Sequence, residues 1–194
     1  MLSEAEAMRV RGVNIRIAVL VALALFMAIV NASVFTYYPL GVSLKPVSPP
    51  VIFVEGSNAG GDDLYYGQGN SIVVNIGESD VSAEIELHPT YQTTYYHDIL
   101  KIVNQDTSAY YIWVSVEEGV SELPGGSEAY LIIGGTYVDL LSTGLSEPIT
   151  LGGESSLQID LKFFIPEGSE LPESSDATIK LIYSPQSVVT PPEA

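Results

Sequence analysis

The amino-acid sequence predicts an all-β protein: a single antiparallel β-sandwich behind a signal-peptide-like N-terminus, working outside the membrane. Three observations carry this reading. An apolar run near the N-terminus is preceded by arginines. Beyond residue 32, β-branched and aromatic residues recur in short runs broken by Gly, Pro, Asn and Asp, with no sustained 3.6-residue period. Cysteine is absent, which excludes a disulfide scaffold, a thiolate metal site and a Cys nucleophile.

The N-terminal 32 residues read as an address. Ile17–Val30 is an uninterrupted apolar run of 14 residues. A spanning helix needs about 20 residues and a signal h-region about 7–15, so the length favours a signal peptide. Arg9, Arg11 and Arg16 supply a positive n-region, and Met8 followed by Arg-Val-Arg makes a cleaner start than the acidic MLSEAEA. Val30-Asn31-Ala32 places small or tolerated residues at the cleavage positions, so cleavage is expected between Ala32 and Ser33. The alternative is an uncleaved anchor, with Val34 and Phe35 extending the apolar run.

The net charge is −17 over 194 residues. Beyond residue 32 only Lys45, Lys101, Lys162 and Lys180 remain against 22 acidic residues, a formal charge of −18. A nucleic-acid partner is excluded, because phosphate binding needs clustered Lys and Arg. Adhesion to an anionic lipid surface is disfavoured for the same reason, so the membrane is met only through the signal segment.

Strands are expected over 33–45, 50–55, 71–77, 81–87, 98–104, 109–117, 129–134, 136–141, 156–165 and 176–183, at the spacing of an antiparallel sandwich. Leu157, Ile159, Leu161, Phe163 and Ile165 alternate with Gln158, Asp160 and Lys162, predicting one core face and one wet face. Ala177, Ile179, Leu181 and Tyr183 alternate with Thr178 and Lys180 in the same way. Gly134-Gly135 signals a two-residue hairpin. Asn104–Ser108 reads as a turn joining two central strands, and residues 185–194 as a disordered tail.

The segment after the cleavage point is the most informative. From Ser33 to Lys45 the even positions are Val34, Thr36, Tyr38, Leu40, Val42 and Leu44, and the odd ones are together smaller and more polar. Pro46, Pro49 and Pro50 then form a stiff break. Such a one-faced strand either folds back as an edge of its own sandwich or leaves to complete another subunit's sheet.

Several segments resemble the TasA/camelysin-like fibre proteins, most closely the archaeal bundling-pilus and thread subunits. They are the h-region running into VFTYYPLGVSLKP, then PPVIFVEGSN, and the block HPTYQTTYYHDILKIVNQDTSAYYIWVSV, which is similar to that family's paired strands around an Asn-rich turn. The resemblance spans residues 17–117. It implies a jelly-roll-like sandwich over 47–184, preceded by a donor strand and linker over 33–46. It also implies an extracellular pilus or biofilm-matrix filament that polymerises head-to-tail with itself by donor-strand complementation, with neighbouring filaments as further partners in bundles. The donated side chains would be Val34, Thr36, Tyr38, Leu40, Val42 and Leu44. The alternative role is a monomeric envelope or surface-layer-associated domain held by an uncleaved N-terminal helix.

No catalytic site, metal site or cofactor is expected. Nucleophile-elbow, zincin, P-loop and dinucleotide motifs are all missing from the sequence. His88 precedes Pro89 at an expected strand end, and His97 sits beside Asp98 at an expected strand start; both read as ordinary strand-end residues. Asp62-Asp63, Glu78/Asp80 and Glu117-Glu118 could hold Ca²⁺ as oxygen-rich loops, but no Ca²⁺-loop motif is present and they read as solvated acidic loops. The Tyr pairs, such as Tyr95-Tyr96 and Tyr110-Tyr111, put one ring on each face of a strand. Their outward rings are either plain sheet surface or subunit-contact residues.

Overall fold

The structure is a computed structural model and describes residues 15–27, 40–64 and 70–187. The chain divides into two units, Met1–Pro46 and Val47–Ala194. In the first, residues 15–27 form an α-helix and residues 40–46 carry no strand. No helix among the described residues is long and apolar enough to cross a membrane.

The second unit is built of antiparallel strands: β1 (Val51–Glu55), β2 (Val73–Ile76), β3 (Ala83–Glu86), β4 (Gln92–Asn104), β5 (Tyr110–Glu118), β6 (Glu128–Ile133), β7 (Thr136–Asp139), β8 (Gly144–Leu145), β9 (Ile149–Leu151), β10 (Ser156–Ile165) and β11 (Thr178–Ser184). One sheet has the order β1-β4-β10-β6-β7 and a second the order β11-β5-β8, with β9 also on β5. β2 and β3 form a separate hairpin. A single apolar cluster draws Ile102, Ile133 and Ile159 from the first sheet and Ile112, Val114 and Val116 from the second, with Val74 and Ile85 of the hairpin packed against it.

Local chemistry accounts for the turns. Gly134 and Gly135 take φ of +54° and +89°, the left-handed pair that a two-residue β6–β7 hairpin requires and that only glycine adopts without strain. The Asn104–Ser108 turn is present, but β4 and β5 belong to different sheets and are not paired. The expected pair is therefore a corner that carries the chain from one sheet to the other. Asn104 holds that corner. Its side chain is 1% exposed, donates to the Ser108 carbonyl (2.7 Å) and the Gly152 carbonyl (2.8 Å), and accepts the Asp106 amide (2.9 Å).

Four expectations shift. The strand expected over 33–45 is not formed in its described part, residues 40–45, where no described strand pairs with it. β4 begins at Gln92, six residues before the expected start, because the polar stretch QTTYY pairs along β10. β8 and β9 are short pieces with no sequence signal of their own. Asp160 is 7% exposed rather than wet, since the outer row around it is covered by side chains of β4 and β10.

Asn104→Ala removes three hydrogen bonds and leaves two carbonyls without their donor. The expected loss is about 3 kcal/mol, at about 1 kcal/mol per bond, read as a lower urea midpoint with unchanged m-value.

Candidate functional site

Three places are candidates for function: the segment before β1, the β11 edge of the second sheet, and two buried acid clusters.

Of the six residues expected to be donated, Val34, Thr36 and Tyr38 lie outside the described residues, as do Ala32 and Ser33 at the expected cleavage point. Leu40, Val42 and Leu44 are 87%, 73% and 83% exposed and sit in no strand, as does the rest of 40–49. Three large apolar side chains at alternate positions thus meet solvent, an arrangement that water disfavours by about 1.5–3 kcal/mol per side chain relative to burial.

In the four-stranded sheet, β5 is paired on one side by β8 and β9 and on the other by β11. Among the described residues, β11 is paired only through β5 and is the longest edge strand, at seven residues against five in β1 and four in β7. Its inward row faces Val116, Val114 and Ile112 through Ile179, Leu181 and Tyr183. Ile179 and Tyr183 nevertheless remain 37% exposed, and Leu181 is only half-buried. The apolar layer is therefore incompletely covered along this edge. An edge of this kind exposes unpaired N–H and C=O groups together with apolar side chains.

The first acid cluster lies where β4 bulges. Between the pairs Tyr96–Leu161 and Leu100–Ile159, three residues of β4 (His97, Asp98 and Ile99) face Asp160 alone. Asp98 takes φ +48°, a left-handed conformation that Asp tolerates better than most residues. Its amide donates to Asp160 Oδ1 at 2.7 Å. Asp160 Oδ1 also accepts Gln158 Nε2 at 2.5 Å, and Asp160 Oδ2 accepts the Tyr95 hydroxyl. On the other side, Ser57 donates to Asp98 Oδ2 from its hydroxyl (2.6 Å) and its amide (3.1 Å), and Lys101 Nζ stands 3.3 Å away. Gly56 follows the bulge so closely that an added Cβ would fall 2.0 Å from the Asp98 carbonyl oxygen.

These contacts set the charges. The Ser57 hydroxyl bond, with Lys101 assisting, holds the Asp98 carboxyl below its ordinary range despite burial. Burial pushes Asp160 upward, but hydrogen bonds from Tyr95, the Asp98 amide and Gln158 outweigh it and leave it lowered. The Tyr95 hydroxyl, bound to that carboxylate, is pushed up to about 12. His97, expected at a strand start, sits in this bulge with Nδ1 2.8 Å from Gln158 Nε2 and 3.4 Å from Asp160 Oδ1.

The second cluster ties two loops together. Asp63 Oδ2 accepts the His88 amide at 2.8 Å and faces His88 Nδ1 at 2.9 Å, while Asp63 Oδ1 accepts the Leu64 amide at 2.6 Å. The Asp63 side chain is wholly buried, so it is not the solvated acid expected from the sequence. Glu117 and Glu118 likewise lie on β5, with Glu117 bound to Lys180 at 2.9 Å, rather than in a loop. Among the described residues, no group of three or more His, Cys, Asp or Glu side chains converges as a metal site. Both clusters hold backbone amides, which is what a carboxylate does when it fixes a bulge or a loop.

No protein-family model matches the chain, and no curated protein matches it.

Because Asp98 and Asp160 are lowered in the folded state, their stabilisation is complete above the unfolded Asp value of about 3.9 and is lost as pH falls through the lower folded values. Asp160→Asn should therefore lower Tm at pH 7, and the gap from wild type should close toward pH 2.5. Thermal unfolding followed by circular dichroism across that range reads this directly.

Proposed function

We propose that the chain is a structural subunit of an extracellular filament, secreted with removal of residues 1–32 and polymerised head-to-tail by strand donation. The two larger sheets would be the halves of one jelly-roll-like sandwich, a reading supported by the single apolar cluster they share. The subunit would act as a building block rather than an enzyme.

One observation carries the proposal: β11 has an incompletely covered inward row and, among the described residues, no partner on its far side, while Leu40, Val42 and Leu44 are exposed at alternate positions elsewhere in the same chain. A strand needs its backbone groups paired and its apolar row buried, and the β11 edge needs the same two things. Within this reading, Val34–Leu44 of one subunit would lie along β11 of the next. Burying five or six such side chains gains about 1.5–3 kcal/mol each before the costs of ordering and association. Because donor and acceptor are different surfaces, the contact is heterologous and extends into a filament rather than closing a dimer.

Negative-stain microscopy tests this with a chain beginning at Ser33 beside one beginning at Val47. Filaments from the longer chain and monomers from the shorter are expected. Monomers from both would favour the monomeric surface domain, and filaments from both would place the joint elsewhere. In the longer chain, Ile179→Asp on the β11 edge should also abolish filaments while leaving the monomer's circular dichroism spectrum unchanged.

A further inference from the structure

We infer that the outer face of the five-stranded sheet is a binding platform for a neutral polysaccharide chain. The register places Tyr95 of β4, Lys162 of β10, Tyr130 of β6 and Asp139 of β7 in one row across the sheet. Cross-strand partners share a face, and the opposite face of the same strands holds the core residues Tyr96, Leu161 and Leu131. The outer row is therefore the one that meets solvent, and its chemistry is unusual for a wet sheet face.

Four aromatic rings stand there. Tyr137 and Tyr95 are 60% and 52% exposed, and Tyr130 and Phe164 are half-buried. Beneath them Ile132, in register with Tyr137 and Asp160, is 5% exposed although it lies outside the main core cluster. Three of the rings, Tyr95, Tyr130 and Tyr137, have neighbours that restrict them. Tyr130 and Tyr137 meet edge-to-face at 5.8 Å, Lys162 Nζ stands 5.7 Å from the Tyr130 ring centre, and Tyr95 stacks on His97 at 6.1 Å. The hydroxyl of Tyr95 is tethered to Asp160. Side chains already fixed in place lose little entropy on binding, which is how rigid aromatic anchors contribute at recognition surfaces.

The ligand class follows from what such a face can satisfy. Exposed rings offer electron-rich faces to weakly positive C–H groups, and a pyranose ring presents a face of C–H groups. Its rim of hydroxyls needs donors and acceptors; Gln158, Lys162 and Asp139 share this face by register and offer what capacity remains beyond their bonds to Asp160, Glu128, and Leu141 and Ser142. Charge then selects among polysaccharides. The Val47–Ala194 unit carries three lysines, no arginine and 22 acidic residues, so an anionic chain is repelled and a neutral one is not. From β4 to β7 the platform spans three strand spacings, about 14 Å, the length of a short oligosaccharide.

Isothermal titration of the full chain with cellohexaose, chitohexaose and maltohexaose, and with an alginate-derived hexauronate, tests the inference. Saturable binding of at least one neutral hexaose is expected, with Tyr137→Ala weakening it at least fivefold. Val81→Ala, an exposed apolar change in the β2–β3 connection, should leave it unchanged. Tyr137 is largely exposed, so its loss should not unfold the protein, and an unchanged circular dichroism spectrum checks that. Binding of none of the neutral sugars, binding of the hexauronate alone, or equal binding by Tyr137→Ala would each overturn the inference. Absence of sugar binding together with altered self-association of Tyr137→Ala in sedimentation would assign the face to a second copy of the chain instead.

Discussion

The Asp98 amide donating to the Asp160 carboxylate is the contact on which the five-stranded sheet depends. β4 runs for 13 residues and must pair with β1 on one side and β10 on the other. A bulge between its two paired stretches bends such a strand and increases its local twist. The bulge leaves backbone groups without ladder partners, and burial makes that expensive unless something else satisfies them. Asp160 accepts one such amide, and the backbone of Gly56 and Asn58 donates to the carbonyls of Ile99 and Asp98. Glycine at 56 is then a steric necessity, because a side chain there would occupy the space of the Asp98 carbonyl.

That arrangement also shapes the outer face. A carboxylate buried in an outer row has to be covered and hydrogen-bonded, and Tyr95 and Gln158 do both, with His97 Nδ1 3.4 Å away. The tyrosine is consequently fixed over the sheet rather than free in water. A contact needed for folding thus presets one ring of the aromatic platform. The second sheet is constructed differently: β5 is closed on one flank by the short β8 and β9 and flanked on the other by β11, whose far side has no partner among the described residues. Its inward apolar row is correspondingly half-open.

Most strands were legible because their signal is local. Period-two alternation found β10 at its true bounds and β5, β6 and β11 within two residues, and Gly134-Gly135 revealed its hairpin through the one residue type that accepts two successive positive φ values. What was not legible depends on distant partners. The polar start of β4 is a strand only because β10 lies beside it. Asp160 alternates like a surface residue, and nothing near it in sequence says that a bulge 62 positions away will bury it. Asp63 and His88 are 25 positions apart and have no shared motif, so their pairing becomes visible only in the fold. β8 and β9 are too short to carry a period at all. The donor residues were legible as a pattern, but a pattern at a chain end does not identify what it pairs with.

The two proposals concern different sheets, and this separation has a consequence. A strand added at the β11 edge would extend the four-stranded sheet and cover its open apolar row, leaving the outer rings of the five-stranded sheet uncovered by that contact. Every subunit of a filament would then present the same platform at a regular spacing. A single shallow aromatic face binds a sugar chain weakly, since it buries little area and encloses nothing. A long polysaccharide meeting many such faces on one filament binds far more tightly, because each contact after the first is effectively intramolecular. Weak recognition at one subunit is therefore the affinity expected of a fibre that holds a matrix together, where individual contacts must exchange while the network persists.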